Sequence, residues 1–231
     1  MKPETGICYI VGAMPLGSVP PPAPGPDDLL IAADRGYATL SRLGLSPHVV
    51  IGDFDSLGCV PTHPNLIRLP CEKADTDMGA ALNYGLKQGF DRFLLLGGLG
   101  GRLDHTFANL QLLNNLSRQR AVGILAGEGE AATVITNGSF SFSPACSGYC
   151  SVYCVSGHAH GVTLTGLKYP LQDASLTGDY PIGTSNEFLG VPARVSVREG
   201  SLLLIWETAD PLSHLPEQTN FPCTSPSNMV Y

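Results

Sequence analysis

Two carboxylates separated by one residue are the first feature of this sequence that points to chemistry. The apolar residues 49–51 predict a buried strand, and Asp53 and Asp55 follow it between Gly52 and Ser56. Side chains two positions apart on an extended chain lie on the same side, so both carboxylates could bind one cation. Oxygen ligands of this kind suit Mg²⁺ bound together with a phosphate chain. The alternative is an ordinary turn, in which Gly, Asp and Ser are common.

Other acidic residues occur after predicted strands or before predicted helices. Asp34 follows a strand, Asp77 opens a helix, and Asp104 lies between a glycine-rich segment, residues 97–101, and another helix. Any one of them could simply stabilise a helix N-terminus. However, the carboxyl ends of strands in an α/β sheet are where such folds bind ligands. Several acidic loops at one edge would repel one another without a cation or a basic partner, so the set predicts metal-assisted phosphoryl chemistry.

The elements that must position these carboxylates alternate between strand and helix in the first part of the chain. Strands are predicted at residues 8–11, 29–33, 49–51, 66–69, 93–96 and 122–125, and helices at residues 37–43, 78–87 and 106–118. Apolar strands that alternate with amphipathic helices indicate a parallel sheet covered on both faces. We therefore predict a Rossmann-like α/β domain over residues 1–127.

The pattern changes after Gly127, where short strand-like segments are separated by Gly, Ser and Asn turns. Strands are predicted at residues 133–136, 140–142, 149–155, 161–165, 194–198 and 202–206. No helical pattern remains, so residues 128–209 are predicted to form an all-β sandwich domain. The last segment, residues 210–231, is rich in Pro, Ser, Thr and Asn and is predicted to be a flexible tail.

Composition limits the classes of function. The chain has 231 residues and a net charge of −7, which argues against a nucleic-acid partner but not against a nucleotide held by a metal. No apolar run is long enough to cross a membrane.

The seven cysteines are scattered, which indicates a reducing cytoplasm. Cys146, Cys150 and Cys154 lack a Cys-x-x-Cys pair and favour a core position over a metal site, and His158 and His160 favour exposed strand positions.

Taken in order, the motifs resemble those of thiamine pyrophosphokinases. The matching segments are residues 34–36, residues 52–56, Glu72-Lys73 followed by Thr76-Asp77, residues 101–105, and residues 184–187. Each motif is weak alone, whereas the ordered set, over roughly residues 5 to 207, is specific. One departure is that Ala74 stands where family members often have Asp, which leaves open whether Asp75 or Asp77 reaches the metal.

The resemblance implies transfer of the pyrophosphoryl group of ATP to the hydroxyl of thiamine, which gives thiamine diphosphate and AMP. It implies Mg²⁺ held by Asp53, Asp55 and Asp77, with Arg102 and Asp104 as further catalytic residues. Asp34 is a weaker candidate ligand. The implied ATP contacts are Asp34, Gly36, Thr76, Gly98, Gly101, Arg102, His105 and Asn109. The sequence contains no Gly-Lys pair and hence no P-loop, so backbone amides, Arg102 and the metal would hold the phosphates.

Several of these residues have ordinary structural alternatives. Arg102 could be an ion pair with Asp104, Thr76 a helix cap, His105 a helix-start residue, and Asn109 a solvated helix residue.

For thiamine, the resemblance implies contacts from Ser185, Asn186 and Trp206 at or near the interface of a homodimer. A cationic thiazolium over an indole face is a favourable contact. The alternative for Trp206 is that it fills the core of the sandwich.

Two other functions stay open at this point. One is a pyrophosphokinase that uses the same acidic edge on a different acceptor, such as a pterin alcohol. The other is a non-catalytic sensor that binds a nucleotide or thiamine, although clustered carboxylates without a metal destabilise a protein. Release of AMP from Mg-ATP with each acceptor would separate these functions.

Overall fold

A computed structural model describes residues 6–55, 58, 60–70 and 75–216, and the following statements concern those residues. Fourteen strands are present in this part of the chain: β1 (Cys8–Val11), β2 (Leu29–Ala33), β3 (Val49–Gly52), β4 (Leu66–Arg68), β5 (Arg92–Leu96), β6 (Val122–Gly127), β7 (Glu130–Thr136), β8 (Ser139–Phe142), β9 (Tyr149–Cys154), β10 (His158–Thr165), β11 (Leu171–Thr177), β12 (Asn186–Glu187), β13 (Ala193–Ser196) and β14 (Ser201–Glu207). The helices are α1 (Gly36–Arg42), α2 (Asp77–Lys87) and α3 (Leu103–Arg118), and a 3₁₀ turn spans Leu212–His214.

Six parallel strands form one half of a ten-stranded sheet, in the order β4-β3-β2-β1-β5-β6. The chain builds outward from β1 through β2, β3 and β4, and then returns to the other side of β1 with β5. The strand order therefore reverses between β1 and β5, which is where folds of this type bind ligands. Strands β1, β3 and β5 are buried along their whole length, as expected for strands covered on both faces.

The helices cover both faces of this parallel half. Met78 and Leu82 of α2 pack in one apolar cluster with Leu113 and Leu116 of α3, against one face of the sheet. Leu40 of α1 belongs to the cluster on the opposite face. This arrangement confirms the predicted Rossmann-like α/β layering.

The other half of the sheet is antiparallel and continues directly from β6 through β7, β14, β9 and β12. A second sheet of four strands, in the order β11-β10-β13-β8, packs against it. Trp206, Phe140 and Phe142 lie in the shared core, with ring centroids 5.0 to 5.7 Å apart. The predicted all-β sandwich is confirmed, although one of its two sheets is an extension of the parallel sheet.

The structure differs from the sequence-based prediction in three places. Strands β11 and β12 were not predicted, because β11 has few apolar residues and β12 is only two residues long. The start of the predicted flexible tail is packed: it contains the 3₁₀ turn, and Leu215 is buried. Residues 217–231 of that tail lie outside the described residues.

The cysteine and histidine predictions agree with the structure. Cys150 and Cys154 are buried, and burial raises the pKa of Cys150 to about 12. Cys146 is half-buried and packs against the edge of the same core. His158 and His160 are exposed on β10. No helix in the described part of the chain is long and apolar enough to span a membrane.

Candidate active site

Three carboxylates meet at the edge of the sheet where the parallel strands end. Asp34 follows β2, Asp53 follows β3, and Asp77 opens α2; each is half-buried. One carboxylate oxygen from each side chain lies within 4.8 Å of the others. Oxygen ligands of an octahedral Mg²⁺ at about 2.1 Å lie about 3 to 4 Å apart, so small side-chain rotations would let one cation reach all three. We call this group the acidic triad.

Close backbone packing brings the first two members of the acidic triad together. The N–H of Asp34 donates to the carbonyl of Ile51, at 2.8 Å. A Cβ at Gly52 would lie 3.1 Å from the Cα of Asp34, and a Cβ at Gly36 would overlap the carbonyl oxygen of Val11. Glycine at position 52 therefore permits the end of β3 to approach Asp34, and glycine at position 36 permits the start of α1 to approach β1.

The structure does not bring Asp55 into the acidic triad. The prediction from spacing assumed an extended chain, but Phe54 between the two carboxylates has φ of 63°. This left-handed conformation turns the chain, so Asp55 is exposed and its N–H donates to Oδ1 of Asp53, at 3.3 Å. The acidic triad contains Asp34 in the place that the sequence prediction gave to Asp55.

The neighbouring carboxylates Asp75 and Asp77 have different positions. Asp77 belongs to the acidic triad, whereas Asp75 accepts a hydrogen bond from Nδ2 of Asn83 on α2, at 3.1 Å. Thr76 lies between them and is the N-cap of α2, because its Oγ1 accepts from the N–H of Gly79 at 3.0 Å. The geometry thus favours Asp77 over Asp75 as the metal ligand. The motif residues Ser56, Glu72 and Lys73 lie outside the described residues.

The glycine loop, residues 97–101, follows β5 at the point where the strand order reverses. It lies near the start of α2, because a Cβ on Gly98 would be 3.3 Å from Cε of Met78, the residue after Asp77. The N–H of Gly12, after β1, donates to the carbonyl of Leu96, and that of Met14 donates to the carbonyl of Gly97, at 2.8 and 3.0 Å. Gly97, Gly100 and Gly101 have φ of 64°, 81° and 67°, which glycine adopts readily. Within the described chain, the N–H groups of residues 99–102 donate to no protein acceptor.

Arg102 and Asp104 form an exposed ion pair at the start of α3. Nε and Nη2 of Arg102 donate to the two carboxylate oxygens of Asp104, at 3.1 and 2.6 Å. The hydrogen bond from Arg102 lowers the pKa of Asp104, so the pair is fully charged at neutral pH. The structure thus contains the ion pair that was the alternative for Arg102.

His105 and Asn109 are on α3, but only one of them faces solvent. His105 is exposed, and its N–H donates to Oδ1 of Asp104, at 3.0 Å. Asn109 is 6% exposed, and its Nδ2 donates to the carbonyl of Gly98, at 2.8 Å. The alternative of a solvated helix residue is therefore wrong for Asn109, which lies behind the glycine loop.

The predicted thiamine contacts differ in accessibility. Ser185 is exposed, with φ of 58°, and its N–H donates to Oγ of Ser151. Asn186 is buried, and its side-chain amide both accepts from the N–H of Tyr169 and donates to the carbonyl of Tyr169. Trp206 is 1% exposed in the sandwich core. Asn186 and Trp206 are thus buried, and the core alternative describes Trp206. Their contact with thiamine at a homodimer interface stays a prediction.

Sequence reasoning did not identify two residues that shape this site. Phe54 sets the direction of the loop between Asp53 and Asp55. Thr106 on α3 contacts the glycine loop, because its Oγ1 donates to the carbonyl of Gly100 at 3.3 Å. Neither residue carries a charge or a metal-binding atom typical of a site, so no sequence signal marked them.

Comparison with known proteins matches both halves of the chain to one family. Residues 26–125 match the family model described as the thiamin pyrophosphokinase catalytic domain. Residues 140–202 match the thiamin pyrophosphokinase vitamin B1 binding domain. A thiamine pyrophosphokinase from Bacillus subtilis is 30% identical over 187 residues, which cover 78% of this chain and 87% of that protein.

Solved structures show the same architecture. The B. subtilis thiamine pyrophosphokinase superposes with a TM-score of 0.76 at 27% identity, over 87% of this chain and 99% of that one. The thiamin pyrophosphokinase from Geobacillus thermodenitrificans has a TM-score of 0.73 at 31% identity, over 87% of this chain and 97% of its own. The yeast enzyme, at 17% identity and a TM-score of 0.66, shares the fold.

A parallel sheet with clustered carboxylates and a glycine loop at its switch point, joined to a β-sandwich, is the architecture that this chain shares with solved phosphotransferases. The chain belongs to the thiamine pyrophosphokinase family. Its activity is that of a thiamine diphosphokinase, and the pterin-alcohol and sensor alternatives are not favoured.

Proposed function

We propose that the acidic triad and the glycine loop bind Mg-ATP and that the enzyme transfers its pyrophosphoryl group to thiamine in one step, releasing AMP. The observation that carries this proposal is the meeting of Asp34, Asp53 and Asp77 within 4.8 Å, beside the glycine loop. Family membership supplies the substrates, and the geometry supports the assignment of residues to them.

The acidic triad fits a divalent cation by the chemistry of its donors, since three carboxylate oxygens suit a hard ion such as Mg²⁺. When bound, Mg²⁺ would neutralise charge on the phosphate oxygens. The carboxylates of Asp34, Asp53 and Asp77 would hold it, and the exposed Asp55 stays a predicted ligand that would have to turn inward.

The glycine loop and the start of α3 would bind the phosphates. N–H groups without a protein acceptor, next to the N-terminus of a long helix, favour a bound anion. Arg102 would exchange its ion pair with Asp104 for a phosphate, to which a guanidinium can donate two parallel hydrogen bonds. Asp104 would then be free to accept the proton of the thiamine hydroxyl. Gly36, Gly98, Gly101, His105 and Thr76 stay predicted neighbours of the nucleotide.

We further propose that thiamine binds near the seam of a homodimer formed by the sandwich domains. Large apolar side chains are exposed on this domain, and Tyr180, Ile182 and Leu189 are 70%, 66% and 56% exposed. These residues flank Ser185, the exposed member of the predicted thiamine set. Apolar exposure of this kind is common at interfaces.

A cytoplasmic location is proposed from the free cysteines.

The test is product analysis with purified enzyme, thiamine, ATP and Mg²⁺. We expect thiamine diphosphate and AMP in equal amounts, loss of turnover with EDTA, and recovery with added Mg²⁺. Formation of ADP and thiamine monophosphate would contradict single-step transfer. A pterin alcohol and water, each in place of thiamine, are the control acceptors and should give no AMP above background.

A further inference from the structure

We propose that Asn109 is a positioning residue that holds the glycine loop from behind, rather than a residue that contacts the nucleotide. Its side chain is 6% exposed, and its Nδ2 donates to the carbonyl of Gly98 at 2.8 Å. A Cβ placed on Gly98 would lie 3.0 Å from Nδ2 of Asn109 and 2.9 Å from Cδ1 of Leu125. The amide of Asn109 is thus closely packed against the loop.

A glycine-rich loop needs such an anchor because its backbone is unusually free. Fixing one residue costs roughly 1 to 2 kcal/mol of conformational entropy, and glycine loses more freedom than other residues. Four of the five loop residues are glycines. Asn109 holds the loop at Gly98, and Thr106, three residues earlier on the same helix face, contacts the carbonyl of Gly100 at 3.3 Å.

The anchor binds carbonyl groups of the loop and leaves its N–H groups available. With the carbonyls of Gly98 and Gly100 engaged by α3, the N–H groups of residues 99–102 are without an acceptor in the described chain. These donors are the groups that the proposed function assigns to the phosphates, and the inference rests on that function. Asn109 would lower the ordering cost of phosphate binding while touching no phosphate itself.

The experiment uses the full-length enzyme and three variants. Asn109→Ala removes the amide, and Asn109→Leu keeps a side chain of similar size without a donor. Asn115→Ala is the matched control, because Asn115 is an exposed asparagine on the same helix whose side chain is bonded only to Gln119 among described residues. Loop order is measured without ligand from backbone ¹⁵N order parameters, after selective labelling of glycine.

We expect the order parameters of Gly98, Gly100 and Gly101 to fall from the rigid value of about 0.85 toward less than about 0.6 in both Asn109 variants. Those of Gly123 and Gly127, in strand β6, should not change. The KM for ATP should rise at least about tenfold, with the KM for thiamine within about twofold of wild type. Asn115→Ala should match wild type in every measurement.

Three outcomes would overturn the inference. A rise in the KM for ATP with an unchanged loop would make Asn109 a direct nucleotide contact. Loss of order throughout the sheet, with a lower melting temperature, would make it a general stability residue. Wild-type behaviour of Asn109→Leu would remove any role for the hydrogen bond. If the wild-type enzyme forms no AMP from ATP and thiamine, the proposed function fails, while the order parameters still decide whether Asn109 holds the loop.

Discussion

Phe54 shows how one residue determines what its charged neighbours can do. Its side chain is 3% exposed, and its backbone has φ of 63°. A left-handed conformation costs a residue with a side chain of this size about 1 to 3 kcal/mol, whereas burial of a Phe side chain contributes about 1.5 to 3 kcal/mol. Burial of the ring therefore offsets the strain, and the strained backbone directs Asp53 into the acidic triad and Asp55 away from it.

The strain at Phe54 can be tested with two truncations. Phe54→Ala and Phe54→Gly lose the same aromatic packing, at about 3 to 5 kcal/mol of the free energy of unfolding. Glycine adopts the left-handed conformation without strain, so Phe54→Gly should be more stable than Phe54→Ala by about 1 kcal/mol. Urea denaturation measures both. If the alanine variant is the more stable one, position 54 carries no left-handed strain.

The acidic triad makes a second prediction at the residue scale. Asp77→Asn should lower turnover by at least about a hundredfold, because it removes a proposed ligand from a metal-assisted site. Asp75→Asn is the matched control and should stay within about threefold, since Asp75 bonds to Asn83 on the helix surface. Steady-state assays of AMP formation compare the two. Equal losses in both variants would show that Asp75 also reaches the metal.

Removing one carboxylate from the triad should not unfold the protein. The side chain of asparagine has nearly the size of aspartate and keeps one oxygen acceptor, so the melting temperature of Asp77→Asn should stay close to that of wild type. A marked fall would instead assign Asp77 a structural role at the start of α2.

At the scale of elements, helix α3 is joined to the sheet by a chain of hydroxyl groups. Oγ of Ser117 donates to Oγ1 of Thr136 on β7, at 2.9 Å. Thr136 is also hydrogen-bonded to Oγ of Ser201 on β14, at 2.7 Å. Ser117 and Ser201 are buried. This chain fixes the far end of the helix whose first turns face the glycine loop.

Thr136→Val should lower the free energy of unfolding by about 1 to 3 kcal/mol, because it leaves two buried hydroxyls without this partner. Thr165→Val, on the exposed end of β10, is the control and should change the free energy by less than about 0.5 kcal/mol. Urea denaturation at neutral pH tests both. Equal effects would show that the hydroxyl chain does not contribute to the stability of the helix–sheet contact.

At the scale of the whole molecule, a packed histidine links stability to pH. The ring of His214 lies against Trp206 and Phe142, with centroids 5.3 and 6.0 Å apart. Burial lowers the pKa of His214 below its ordinary 6.5, against an opposing effect of Asp210. The unfolded chain therefore binds this proton at a higher pH than the folded chain.

Neutral His214 therefore contributes fully to the free energy of unfolding above about pH 6.5. This contribution is lost as the pH falls below that value, because the unfolded chain takes up the proton first. Urea denaturation at pH 7.5 and pH 5.5 should show a smaller loss for His214→Gln than for wild type. The same loss in both proteins would mean that other groups cause the acid sensitivity.

The proposed homodimer is the second prediction at this scale. Ile182→Glu places a charge among exposed apolar side chains of the sandwich and should shift the protein to monomer. Sedimentation measures the assembly, and the KM for thiamine should rise while the KM for ATP changes less than about threefold. A fully active wild-type monomer at micromolar concentration would contradict an interface site.

The order of the elements and the edge at which the site lies follow from the sequence alone. Strands such as β1 and β3 are apolar because both faces are buried. The loops after β2, β3 and β5 carry Asp34, Asp53 and the glycines because the ligand edge lies there. Local patterns of this kind depend on the nearest neighbours in the chain, so they can be read without the fold.

Which carboxylates and which polar side chains come into contact depends on the tertiary structure. Asp55 was expected beside Asp53, but the burial of Phe54 sets a backbone angle that spacing cannot reveal. Asn109, Asn186 and Trp206 were candidates for ligand contact, and their burial depends on packing against segments distant in sequence, such as Gly98 for Asn109 and Tyr169 for Asn186. The direction of a side chain and its access to solvent are properties of the assembled sheet, because they depend on contacts that no local pattern contains.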